Sequence, residues 1–319
     1  MKYRNRIPVL ATALAAAALL APALTQAQAG MFRRLLMQRR AQQQPAALAP
    51  MTTLPAGVRA IRDIAYGNDA QERFDVYLPE RPVHDAPVIF MVHGGGWTRG
   101  DKNTLRVVQN KVARWVPRGF ILVSANYPMV PQANPLQQAQ ELGLALATAQ
   151  RMAASWGGDR RRFILMGHSA GGHLVSLIGA APAIALARGA TPWLGTVDLD
   201  GAGYNIVEIM QGRHLRLYDT AFGSDAALWA AASPWQRLDG RIAPFLAVCS
   251  SRRRESCPQA RAFVAKAAGM GTRASVLPED LSHEEINEQL GLPSAYTAAV
   301  EAFMRSLDPA VARRLDGTR

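Results

Sequence analysis

The chain has 319 residues, of which 49% are apolar, so it is long enough to build one large hydrophobic core or two small ones. Its formal net charge is +12, but no nucleic-acid-binding motif accompanies the basic residues. We therefore expect a globular protein that does not bind nucleic acid.

The first 29 residues have the pattern of a cleavable export signal. Three cations precede an alanine-rich apolar run over residues 7–24, which is followed by the cleavage pattern Ala27-Gln28-Ala29. The apolar run is short for a membrane-spanning anchor and has a proline near each end. We expect residues 1–29 to be removed as a signal peptide and the mature protein to be periplasmic or secreted.

Residues 30–57 are rich in Gln, Ala and Pro and carry four arginines. This composition is typical of a flexible basic linker that keeps a protein soluble. A weak contact with anionic surfaces is the alternative. The folded domain is expected over residues 58–308 and a short C-terminal tail over 309–319.

Apolar runs alternate with segments of helical periodicity within the domain. The expected strands are residues 61–66, 73–78, 88–93, 120–126, 163–166, 195–200, 244–249 and 274–277. The expected helices are residues 105–118, 137–156, 172–178, 258–269 and 293–307. This order predicts a single α/β domain with a mainly parallel sheet that is covered by helices on both faces.

The pentapeptide at residues 167–171, Gly-His-Ser-Ala-Gly, stands between an expected strand and an expected helix. A serine in such a tight turn exposes its Oγ, and the flanking glycines let the strand and the helix approach closely. Ser169 is therefore the candidate nucleophile. The alternative is a tightly packed helix start without chemistry.

Consecutive glycines at residues 94–96 follow the strand that ends at His93. Glycines let backbone N–H groups face a developing negative charge without obstruction. We expect the N–H groups of Gly95, Gly96 and Ala170 to form an oxyanion hole.

A general base for Ser169 has to be one of six histidines. His283 is favoured because it follows the last expected strand, where a loop can reach over the serine. In the chain order serine, acid, histidine, the acid should follow the strand at 244–249. Glu255 is the only carboxylate in that arginine-rich loop, and Asp280 and Asp239 are the alternatives.

Cys249 and Cys257 are the only two cysteines and stand eight positions apart. In an exported protein such a pair can form a disulfide that closes a small loop. A metal site is not expected, because no histidine lies close to either cysteine in the sequence.

Together these residues resemble the α/β-hydrolase superfamily, specifically its hormone-sensitive-lipase-like and feruloyl-esterase-like carboxylesterase branch. The resemblance covers most of residues 58–308 and rests on a late histidine and four motifs: residues 93–97, 124–127, 158–159 and 167–172. It implies an α/β-hydrolase fold with eight mostly parallel strands, a Ser-His-Asp/Glu triad and no cofactor.

Two departures from the family pattern stand out. The family has Tyr-Arg-Leu where this chain has Tyr-Pro-Met at residues 127–129. It also has an aspartate in the loop where Arg252-Arg253-Arg254-Glu255 stands here.

The expected activity is the hydrolysis of small carboxylic esters through an acyl-enzyme on Ser169. We expect Trp97, Tyr127 and His168 to contact the substrate. One alternative is an arylformamidase-like amidase that uses the same residues, and another is a silent binding protein that has lost the acid. The oligomeric state stays open at this point.

Overall fold

The structure is a computed structural model that describes residues 49–201 and 203–317. The expected signal peptide and residues 30–48 of the expected linker lie outside these ranges. The described residues form an eight-stranded sheet in the order β1-β2-β4-β3-β5-β6-β7-β8. Strand β2 runs antiparallel to β1 and β4, and the other neighbours are parallel. The expected fold class is therefore confirmed.

The strands are β1 (Val58–Ala65), β2 (Arg73–Pro79), β3 (Ala86–Val92), β4 (Ile121–Ala125), β5 (Gly158–His168), β6 (Gly195–Leu199), β7 (Phe245–Ser250) and β8 (Ala274–Glu279). The first helices are α1 (Leu105–Trp115), α2 (Pro135–Met152), α3 (Ala170–Ala180) and α4 (Ala183–Leu186). Four short helices follow β6: α5 (Ile206–Gln211), α6 (Arg216–Phe222), α7 (Ala226–Ala231) and α8 (Pro234–Arg237). The last helices are α9 (Ser256–Gly269), α10 (His283–Gln289), α11 (Ala295–Arg305) and α12 (Pro309–Asp316).

The core has two layers, one on each face of the sheet. Strand β3 shows the division, because Val88, Phe90 and Val92 pack into one layer, while Ile89 and Met91 pack into the other. Successive side chains of a strand point to opposite faces, so an unbroken apolar run is buried on both sides. Helices α2 and α3 cover the first layer, and α1, α10, α11 and α12 cover the second.

The ends of the domain differ from the expected boundaries. Met51 is 1% exposed, and its N–H donates to the backbone oxygen of Asn103 at 2.8 Å, so the last residues of the expected linker pack on the domain. The expected tail forms α12, which buries Val311 and Leu315. These two apolar residues are spaced four apart and therefore lie on one face of the helix.

Within the described residues, no helix combines the length and the apolar character needed to cross a lipid bilayer.

Candidate active site

The expected functional residues meet at one edge of the sheet. Strands β5 and β6 pair in parallel register, with His168 opposite Leu199, so Ser169 and Asp200 follow directly at neighbouring strand ends. The loops after β7 and β8 open at the same edge, because parallel strands end together.

Ser169 occupies a strained turn between β5 and α3. Its φ is +57°, a left-handed conformation that is uncommon for a residue with a side chain. A Cβ at Gly167 would lie 2.3 Å from the backbone oxygen of Gly171, and one at Gly171 would lie 2.3 Å from that of Val92. The two glycines are therefore required for this turn, as the pentapeptide predicts.

His283 is the first residue of α10, directly after its cap Ser282. The Ser282 hydroxyl accepts from the N–H of Glu285, and the Glu285 side chain accepts from the N–H of Ser282, which fixes the start of the helix. The His283 Nε2 lies 2.8 Å from the Ser169 Oγ. The structure therefore brings together the expected nucleophile and the expected base.

Helix α1 anchors α10 through side-chain hydrogen bonds. The buried Lys111 Nζ donates to the backbone oxygen of Asn287 at 2.6 Å and to its Oδ1 at 2.9 Å. The Asn287 Nδ2 in turn donates to the backbone oxygen of Arg106 at 3.0 Å. These contacts limit the movement of the helix that carries His283.

The carboxylate beside His283 is Asp200, and the expected pairing with Glu255 is wrong. The Asp200 Oδ2 lies 2.6 Å from the His283 Nδ1, and its side chain is fully buried. Burial alone would raise the pKa of Asp200, but the hydrogen bond from His283 and the positive charge of Arg253 hold it well below its ordinary value. Asp200 is therefore ionised at neutral pH.

The other acid candidates lie elsewhere. Glu255 is exposed and stands immediately before α9, and Asp239 is exposed after α8. Asp280 is exposed too and pairs with Arg252 at 2.8 Å. The sequence held one usable signal for Asp200, which is a carboxylate at the end of the strand next to the nucleophile strand. The expected chain order of serine, acid and histidine favoured the loop after the following strand, β7, instead.

The glycine loop after β3 packs directly against the nucleophile. A Cβ at Gly94 would lie 2.8 Å from the Ser169 Cβ, and Gly95 has a φ of +128°. Among the described residues, no acceptor pairs with the N–H groups of Gly95, Gly96 or Ala170. The loop therefore adjoins Ser169, with donors available for an oxyanion hole at the expected positions.

All three residues expected to contact substrate are buried, Tyr127 and His168 directly beside the triad and the glycine loop. Tyr127 has no exposed surface, and its hydroxyl donates to the backbone oxygen of His93 at 3.1 Å. His168 is 8% exposed and stacks at 4.6 Å on His283, whose backbone oxygen accepts from its Nε2 at 2.9 Å. Burial and the neighbouring His283 hold the pKa of His168 well below its usual value, so the ring is neutral. Both residues support the site from behind.

Trp97 links the glycine loop to the short helices after β6. Its side chain is 2% exposed and donates from Nε1 to the His173 Nδ1 at 3.1 Å. Its ring lies 5.5 Å from that of Tyr218 and 5.0 Å from that of Phe222, both on α6. The aromatic segment after β6 thus packs over the glycine loop beside the site.

No group of three or more His, Cys, Asp or Glu side chains suited to a metal ion occurs in the described part of the chain.

Comparisons with known proteins agree with this geometry. The family model BD-FAE matches residues 74–187, which include the glycine loop and the nucleophile turn. The crystal structure of esterase B from Lactobacillus rhamnosis matches 92% of this chain and 98% of its own, with a TM-score of 0.66 and 18% identity. The chain therefore has the fold of this esterase, in agreement with the expected α/β-hydrolase fold.

Sequence relatives of this chain are described as esterases or ester hydrolases. A probable isoprenylcysteine alpha-carbonyl methylesterase from Oryza sativa is 29% identical over 171 residues, which are 51% of this chain and 40% of the relative. The probable carboxylic ester hydrolase LipM from Mycobacterium tuberculosis is 27% identical over 76% of this chain and 60% of its own length. The chain thus spans less than two thirds of these relatives.

Proposed function

We propose that this protein is an exported serine carboxylesterase with the triad Ser169, His283 and Asp200. One observation carries the proposal: the Ser169 Oγ, the imidazole and a buried carboxylate form an unbroken chain with contacts of 2.8 and 2.6 Å. An acid that orients a base and a base that contacts a hydroxyl are what acyl transfer by serine requires. The silent-binding alternative needs a missing acid, and Asp200 argues against it.

In the proposed reaction, the Ser169 Oγ attacks the ester carbonyl carbon while the His283 Nε2 takes the hydroxyl proton. The resulting tetrahedral oxyanion accepts hydrogen bonds from the N–H groups of Gly95, Gly96 and Ala170. His283 then gives its proton to the departing alcohol, which leaves an acyl-enzyme. Water attacks this acyl group with His283 again as the base, which releases the carboxylic acid and restores Ser169.

Asp200 keeps His283 in the useful tautomer. A carboxylate only accepts hydrogen bonds, so its contact with Nδ1 places the imidazole proton there and leaves Nε2 free to accept from Ser169. The negative charge of Asp200 also stabilises the imidazolium that forms during attack.

Substitution of the nucleophile tests the mechanism. Ser169→Ala is expected to lower kcat for p-nitrophenyl acetate by at least about 10³-fold, because the acyl-enzyme can no longer form. The matched control is Ser155→Ala, an exposed serine just before β5, at the opposite end of the strand from the site. Activity retained in the Ser169 variant, or a loss of similar size in the control, would refute the assignment. Labelling of the wild type by a fluorophosphonate, mapped to Ser169 by peptide mass spectrometry, gives a second readout.

Export is supported by the leader pattern in residues 1–29 and by the bond between Cys249 and Cys257, since disulfides persist mainly in oxidising compartments. The test is the N-terminus of the mature protein in periplasmic and culture fractions. Cleavage after Ala29 is the expected result, and an intact leader in the cytoplasmic fraction would overturn this part of the proposal.

A further inference from the structure

The loop after β7, where the family places its acid, instead supplies hydrogen-bond donors to Asp200. The N–H of Ser250 donates to the Asp200 Oδ1 at 2.9 Å, and the Ser256 hydroxyl donates to the same oxygen. The Arg253 Nη1 donates to the Asp200 Oδ2 at 2.5 Å. The disulfide between Cys249 and Cys257 ties the two ends of this loop together.

Arg253 also touches the catalytic imidazole. Its Nη1 lies 3.0 Å from the His283 Nδ1, and its side chain is 31% exposed. A guanidinium is always charged and only donates, so it cannot accept the proton on Nδ1. The contact therefore places a fixed positive charge beside the imidazole while Asp200 supplies the acceptor.

We propose that Arg253 is a positioning residue of the triad: it holds the Asp200 carboxylate in place and sets the pH at which the site loses activity on acidification. This inference rests on the proposed serine mechanism. A positive charge within a few ångströms disfavours a second positive charge on the imidazole. Removing the charge of Arg253 is therefore expected to change the pH dependence of the activity.

The other groups around His283 do not provide such a charge. Asp200 contributes a negative charge from β6, and His168 at the end of β5 is buried and neutral. On α10 itself, Glu285 pairs with Arg252 at 3.1 Å. Lys111 lies on α1 and reaches Asn287, one turn further along α10. Among the described residues, Arg253 is the cation that directly contacts the imidazole.

Three substitutions separate the charge of Arg253 from its shape. Arg253→Lys keeps the charge, whereas Arg253→Gln and Arg253→Met remove it. The acid limb of the kcat/KM profile is the pH range in which activity falls on acidification. For p-nitrophenyl acetate, we expect both neutral variants to move this limb upward by about one pH unit. This is the low end of the shifts that a neighbouring charge causes, because Arg253 is partly exposed to solvent. Arg253→Lys should keep the limb near the wild-type position. KM should change less than about twofold, since Arg253 contacts the triad and not the ester.

The matched control is Arg254→Gln, which removes an exposed positive charge from the same loop and should leave the limb in place. Circular dichroism and thermal unfolding establish that each variant is folded. A purely structural role would lower kcat in all three variants without moving the limb, and that outcome would overturn the inference. A rise in KM without a shift would make Arg253 a substrate contact and would overturn it as well.

A second readout does not depend on turnover. In the Ser169→Ala background, the ring signals of His283 can be titrated by NMR with and without Arg253→Gln. We expect the titration midpoint to rise with the substitution. An unchanged midpoint would refute the role of Arg253 even if the serine mechanism holds, whereas inactivity of the wild type would refute the mechanism alone.

Discussion

Asp200→Asn tests the corrected acid most directly, because the surroundings of this side chain determine how an amide would sit. The Asp200 Oδ1 accepts from the Ser250 N–H at 2.9 Å and from the Ser256 hydroxyl. The Oδ2 faces the His283 Nδ1 at 2.6 Å and the Arg253 Nη1 at 2.5 Å. Every contact requires an acceptor, so an amide NH₂ group faces a donor at either position.

The amide is expected to place its NH₂ toward His283. The backbone N–H of Ser250 cannot turn away, whereas the imidazole can move its proton from Nδ1 to Nε2. That tautomer directs an N–H at the Ser169 Oγ and cannot act as a base. We therefore expect kcat to fall by about 10³–10⁴-fold, which corresponds to about 4–5.5 kcal/mol in the activation barrier.

The assay is the hydrolysis of p-nitrophenyl acetate at pH 8, with kcat and KM determined separately. KM should stay within about twofold, because Asp200 is buried behind the imidazole. Glu255→Gln is the matched control and should retain nearly full activity, since Glu255 is exposed and Asp200 holds the place beside His283. More than a tenth of wild-type kcat in Asp200→Asn, or an equal loss in the control, would refute the reasoning.

Two further predictions concern stability. Burial lowers the pKa of Lys111 to about 7. Between pH 7 and about 10.5 the unfolded chain therefore binds more protons at this side chain than the folded one. The free energy of unfolding should rise with pH in this range, by at most about 1.4 kcal/mol per pH unit. Urea titrations at pH 7 and 9 should show this rise in the wild type and a smaller one in Lys111→Met, and equal rises would contradict the prediction. Replacing both Cys249 and Cys257 with serine should lower the free energy of unfolding by about 2.5 kcal/mol, the chain-entropy value for a disulfide between residues eight positions apart. The same change should lower kcat more than it changes KM. Dithiothreitol should bring the wild type to the level of this double variant and leave the variant itself unchanged; a variant as stable and active as the wild type would refute the role of the disulfide.

The sequence predicts the strands, the larger helices and the Ser169 turn because each depends on local patterns. Apolar runs identify the buried strands, and the glycines at 167 and 171 leave the turn little alternative. His283 could be predicted from its place after the last strand. The short helices after β6 were not predicted, since segments of four to seven residues carry too little periodicity.

Asp200 could not be predicted with the same ease, because its role depends on which loops meet in space. The sequence offers Asp200 and Glu255 alike as carboxylates that follow a strand. Only the pairing of β5 with β6 in the folded sheet brings Asp200 to His283. The burial of Tyr127 and His168 is likewise a tertiary property. Motif position places both residues near Ser169 but does not say which side of the site they face.

The pairing of β5 with β6 has a mechanical consequence. Ser169 and Asp200 stand at the ends of two hydrogen-bonded neighbouring strands, so the sheet fixes their separation as one rigid unit. His283 belongs to a short helix held by α1 and by a loop, and forms a separate unit that has to dock between them. Gradual heating should therefore separate the imidazole from an intact serine–carboxylate pair before the sheet melts. Substitutions that strengthen the contacts of α10 should therefore raise the temperature at which activity is lost more than substitutions in the core.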